Sequence, residues 1–286
     1  MCNNLNDNHK RILDLLYAMS EPICKEKNIR LGISFPVEGK LNACVYYDHS
    51  CSSYQIQIFS DCLHLFYPIE TMTDRFTKDD LLFFDKVKKL MIFEHSCNDT
   101  YREELNNLFS SIILLHIFFH ECGHIIAGHV DKSQSLLYEY DASRKGSFAV
   151  QEHEMVADWW STKQLFNLMF HAVNLFNEDN DEKLRILKKI TILYWLSLTL
   201  EFQIFDNKHP NHPSDLSSLT HPIPAVRLYY TIEATREGIS DVLLQSGLSL
   251  ENADKGADII VNAVLDTINS FLGIMNVPID FKKFDR

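Results

Sequence analysis

Residues 120 to 124 read His-Glu-Cys-Gly-His and lie inside an apolar run, Ile112 to Ala127, that suits a helix. At 3.6 residues per turn, His120 and His124 project from one face, so a single small cation can be held between their ring nitrogens. Glu121 lies about 100° round the helix, beside such a cation rather than on it. A carboxylate there can take a proton from an attacking water and return it to a leaving amine. Zinc fits this donor set, because it accepts imidazole and keeps a coordination position open in hydrolytic sites. With 13 His and 17 Glu in 286 residues, about 0.03 such pentapeptides are expected by chance, so its occurrence directs the search for the rest of a site.

Two imidazoles do not complete a catalytic zinc site, and a third protein ligand is required. A histidine six residues after His124 would serve, but position 130 is Val and position 127 is Ala. If the helix continues, His129 is about 140° off the ligand face. It then reads as a surface histidine or a neighbour of a ligand. The alternative is a carboxylate on a following helix, offered by Gln151-Glu-His-Glu-Met-Val-Ala-Asp158. Glu154 and Asp158 are four apart and share a face. Glu154 can ligate the metal while Asp158 accepts a hydrogen bond from the far ring nitrogen of a ligand histidine, most plausibly His120. Glu152 and His153 compete as ligands, but neither has an acid four residues later. His116 extends the stripe one turn upstream. A 116/120 ligand pair would put Ile117 where a proton shuttle is needed, so hydrolysis favours 120 and 124. Cys122 points away from the ligand face and suits a packed thiol.

These groups need helices to carry them, and helical periodicity predicts most of the chain. The expected helices are Asn8 to Ser20, limited by Pro22, then Leu81 to Phe93 capped near Thr77, and Thr100 to His129. Four more follow: Val150 to Asn174, Glu182 to Phe205, Pro222 to Gly238 and Asn252 to Met275. Earlier, Arg30 to Phe35, Asn42 to Tyr47 and Ser53 to Phe59 read as strands of a meander or hairpin. The polar segment Asp131 to Gly146 suits a loop over the site, and His209 and His212 fall in a later loop. Strands early and helices late predict an α+β protein, with an N-terminal helix and small antiparallel sheet over residues 1–99 and a helical body over residues 100–286, together one compact unit.

Composition removes several function classes. Apolar residues at 46% and charged residues at 23% are ordinary for a globular chain. The net charge of −12 argues against a nucleic-acid surface, and Lys86 to Lys89 and Lys188 to Lys189 read as solvated helix faces. The polar start lacks the pattern of an export signal, and the apolar stretches Ile112 to Phe119 and Ile190 to Leu200 are shorter than the roughly 18 residues of a spanning helix. A cytoplasmic protein without membrane partners is expected. Seven cysteines with no C-x-x-C pair indicate neither a disulfide framework nor a cysteine zinc site.

The order His120-Glu-x-x-His124, then Glu154-x-x-Ala157-Asp158, resembles the gluzincin branch of zinc peptidases, including the HtpX-like enzymes. Thr220-His-Pro-Ile-Pro-Ala-Val-Arg-Leu-Tyr229 resembles the T-H-P-x-x-x-x-R block that follows the zinc helices in such enzymes. The combination resembles the phage-exclusion peptidases typified by Lit over about residues 30 to 235, and is specific in three short blocks. The resemblance implies a zincin-like catalytic body and a zinc endopeptidase acting on a host protein. A translation elongation factor is the implied substrate, with activity held in check until a phage signal, such as a phage peptide, appears. Within the third block, His221 could donate a hydrogen bond to a tetrahedral oxyanion or simply cap and pack. Arg227 could pair with a carboxylate and dock its helix. An edge strand, with Ser53 to Phe59 as the choice, could hold the substrate backbone. The rival functions are a non-catalytic sensor or binding protein with a structural metal, and a regulatory peptidase cutting a repressor or antitoxin.

Overall fold

The computed structural model describes residues 7–36, 43–59, 101–130, 137–138, 148–174, 180–206, 224–245 and 247–274. The expected helix at Leu81 to Phe93 lies outside them. The chain opens with α1 (Asp7–Lys27), followed by β1 (Leu31–Ser34), β2 (Ala43–Asp48) and β3 (Ser53–Ile58). Then come α2 (Tyr101–Ile126), the short β4 (Leu137–Tyr138), α3 (Phe148–Asn174), α4 (Asn180–Asp206), α5 (Pro224–Gln245) and α6 (Leu250–Ile274). The class is α+β, as the grouping of strands and helices predicts.

The sheet departs from the expectation. Its order is β1-β3-β2-β4, and β1 runs parallel to β3 while β2 is antiparallel to both β3 and β4. It is therefore mixed: β3 lies between β1 and β2, parallel to the first and antiparallel to the second. The fourth strand comes from the segment expected to be a loop over the site. Ser53 to Phe59 is also not an edge: β3 is hydrogen-bonded on both sides, leaving no free backbone row for a substrate strand. The β2–β3 hairpin turns where Asp48 accepts a hydrogen bond from the Ser50 backbone at 2.8 Å. On β3, Ile56 and Ile58 are buried while Gln55 and Gln57 are half-buried, the alternation of a sheet with one core face.

Two helices run further than their sequence suggests. Helix α1 passes through Pro22, whose missing N–H would have met the carbonyl of Ala18. Both residues are exposed, so water can serve that carbonyl, and Ile23 still packs on the core. Helix α5 continues through Gly238 to Gln245. A β-carbon at Gly238 would stand 3.1 Å from Phe166 Cβ, so glycine there lets α5 lie close against α3.

Helix α2 is the axis of the molecule. From Ser111 to Ile125 every residue is buried, as an apolar helix requires. It packs against β2 and β3 on one side and against α3 and α4 on others, while α5 and α6 complete the outer layer. One cluster of buried side chains runs from Ile33, Val45 and Ile56 in the sheet through Phe118 on α2 to Trp195 and Val261. The sheet and the helical body thus share it. Buried hydroxyls on α4 are satisfied within the helix, with Thr199 donating to the Trp195 carbonyl at 2.8 Å. Among the described residues no helix is long and apolar enough to cross a membrane.

Candidate metal centre

His120 and His124 lie one turn apart on α2, and their Nε2 atoms are 3.0 Å apart. Glu154 reaches them from α3, with Oε2 at 3.2 Å from His120 Nε2 and Oε1 at 3.6 Å from His124 Nε2. All three residues are buried, and one donor atom from each lies within 4.8 Å of the others, a group that could hold a metal ion. Such a close approach of two helices needs small residues where they touch. A β-carbon on Gly123 would stand 3.0 Å from Ala157 Cα and 3.1 Å from its carbonyl oxygen, so the glycine within the pentapeptide is what allows α3 to deliver Glu154.

The outer nitrogen of His120 is fixed by charge. Its Nδ1 donates to Asp158 at 2.8 Å. Arg227, on α5, donates to both oxygens of the same carboxylate at 2.7 Å each. Asp158 and Arg227 are 0% and 1% exposed, and the guanidinium also lies 4.2 Å above the Phe202 ring. Burial alone would push the Asp158 carboxyl up, but Arg227 and His120 outweigh it and hold the group well below the usual carboxylate range. Burial likewise opposes charge on His120, yet the Asp158 and Glu154 carboxylates raise the imidazole well above its ordinary value. An anionic Asp158 keeps the proton on His120 Nδ1 and turns Nε2 towards the donor cluster, the arrangement of a metal-ligand histidine.

His129 sits elsewhere than a continuing helix would put it. Gly128 has φ of +74°. The Gly128 and His129 amides donate to the carbonyls of Ile125 and His124 at 3.1 and 2.9 Å. These are the two bonds of a Schellman cap, with glycine in the left-handed position. The turn brings the His129 ring back, so that its Nδ1 lies 3.0 Å from His124 Nδ1. His153 lies outside the donor cluster, and its ring stacks on His129 with centroids 4.0 Å apart and planes 11° apart. Burial, with the neighbouring His124 and His153, pushes His129 down to about 4.

His116 is buried but turned away from the donor cluster. Its Nδ1 meets Glu201 Oε1 on α4 at 3.0 Å, and its backbone carbonyl accepts from Ser161 at 2.8 Å. Glu121 is buried on α2 between His120 and His124 in sequence, and Cys122 belongs to the apolar core. Burial pushes the Cys122 thiol well up. His221, with Thr220 and Pro222, lies outside the described residues, as do His209 and His212. The structure thus brings together His120, His124, Glu154, Asp158 and Arg227. Gly123, Gly128 and the partnerships of His129 with His153 and of His116 with Glu201 were missed by sequence reasoning. Gly128 carried a usable signal, because glycine after a helical run is a stop sign. Glu201 carried none, being the one acid in the apolar stretch from Ile190 to Phe205.

No family model, curated protein or solved structure matches the chain.

Proposed function

We propose that the chain is a zinc-dependent endopeptidase of gluzincin type, working in the cytoplasm on a protein substrate. The observation that carries this is the convergence of Glu154 from α3 on His120 and His124, with Asp158 one turn later taking the outer nitrogen of His120. Two imidazoles and one carboxylate suit zinc and form a three-donor set that leaves a position for water or substrate. Bound there, zinc would polarise the scissile carbonyl and make water more acidic.

The chain's own groups supply the rest. Glu121 accepts the proton of the attacking water and passes it to the leaving nitrogen. Asp158 and Arg227 keep His120 in one tautomer and one orientation through both steps. The intact Glu121 favours catalysis over a structural metal, which needs no proton shuttle. The succession of the three sequence blocks supports a role in phage exclusion, with a translation elongation factor as substrate, a phage peptide as activating signal and His221 as an oxyanion donor.

The test is metal analysis of the purified chain together with Glu121→Gln, and proteomics of cells making each form with and without phage challenge. About one zinc per chain is expected, and a cleavage product that disappears with Glu121→Gln. Absence of zinc, or a product indifferent to Glu121, removes the proposal.

A further inference from the structure

We infer that His129 is a positioning residue for the metal centre, holding the second ligand histidine as Asp158 holds the first. The inference rests on the metal-binding function proposed above. A neutral imidazole that offers its Nε2 lone pair to a metal carries its proton on Nδ1. His124 Nδ1 must therefore donate, and His129 Nδ1 lies within hydrogen-bond reach of it at 3.0 Å. That nitrogen accepts only if the His129 proton is on Nε2, so binding of metal at His124 sets the tautomer of both rings.

The position of His129 is over-determined. Its amide is tied to the His124 carbonyl at 2.9 Å, Gly128 supplies the left-handed turn, and the His153 ring covers its face. A β-carbon on Gly128 would meet nothing within 4 Å among the described residues. Glycine is required there by the backbone angle rather than by space. One residue thus holds both the backbone and the ring of a ligand, and its stack on His153 ties it to the chain beside Glu154. The two ligand histidines are held unequally: His120 by an anion anchored on a guanidinium, His124 by a neutral ring.

The test uses the full chain and Zn2+ alone, titrated against a chromophoric chelator. His129→Phe keeps a flat ring against His153 but removes the acceptor, and His129→Asn restores an acceptor. Loss of such a partner weakens metal binding by about 10- to 100-fold. That loss is expected for His129→Phe, with recovery in His129→Asn and an unchanged melting temperature of the metal-free chain. Zinc binding by His129→Phe as tight as the parent's overturns the inference and leaves the metal site standing. A parent chain that binds no zinc overturns both. Weakening that tracks a lowered metal-free melting temperature in both variants also overturns it, since His129 would then support only the fold.

Discussion

Arg227 holds Asp158 by two N–H···O bonds of 2.7 Å in a place that water hardly reaches. Removing one partner of a buried pair leaves the other charged and unsolvated, at a cost of about 3–5 kcal/mol. Arg227→Met is expected to lose that much stability in urea unfolding. Asp158→Asn/Arg227→Met, which removes both charges, should recover most of it. The double variant should nevertheless bind zinc about 10- to 100-fold more weakly, because His120 has lost its carboxylate. Parent-like zinc affinity in the double variant would mean that the pair serves the fold alone.

Ligand and base separate in a thermal experiment. Zinc at about 100 times its dissociation constant adds about 2.7 kcal/mol to the folded state, visible as a raised melting temperature that a chelator reverses. Glu154→Gln should abolish the shift. Glu121→Gln should keep it and lose cleavage. A zinc shift that survives Glu154→Gln would place the third ligand elsewhere.

Gly123 offers a steric test. Alanine is ordinarily the better helix former by about 1 kcal/mol, but here the new methyl would meet the Ala157 backbone rather than a flexible side chain. The close contact decides the sign. Gly123→Ala is expected to destabilise by about 1–3 kcal/mol and, by pushing α3 outwards, to weaken zinc binding through Glu154. Unfolding and chelator competition measured together check both.

The His116–Glu201 pair predicts stability without metal. Both side chains are buried, and His116 Nε2 and Glu201 Oε2 have no hydrogen-bond partner among the described residues. Glu201→Leu alone leaves a buried imidazole without its acceptor and should cost about 1–3 kcal/mol. Adding His116→Phe should return stability to near the parent's value, with zinc affinity unchanged in both. A fall in zinc affinity would tie this pair to the metal after all.

What could be read from the chain follows the reach of the physical rule used. Helical periodicity places side chains four residues apart on one face without knowledge of anything else, which is why His120, His124, Glu154 and Asp158 were legible and Arg227 could be given a carboxylate to find. The same rule gave His129 as a surface histidine or a neighbour of a ligand, and it does neighbour His124, by a turn the rule does not contain, because Gly128 stops the helix. Strand patterning found β1, β2 and β3 but not their order. Alternation records which face is buried and carries no information about which neighbour is parallel. Pro22 and Gly238 were given their usual helix-ending role, and tertiary surroundings, an exposed carbonyl in one case and a facing phenyl ring in the other, overrode it.

The burial of α2 from Ser111 to Ile125 has a consequence for how the candidate metal centre comes apart. The helix that bears both imidazoles is covered by the sheet, by α3 and by α4, so its amides should be among the slowest to exchange with solvent. A centre built on peripheral elements can fray and fail while the rest of a protein stays folded. Here the histidine pair can come apart only as its cover does, so loss of metal binding and global unfolding should be one event.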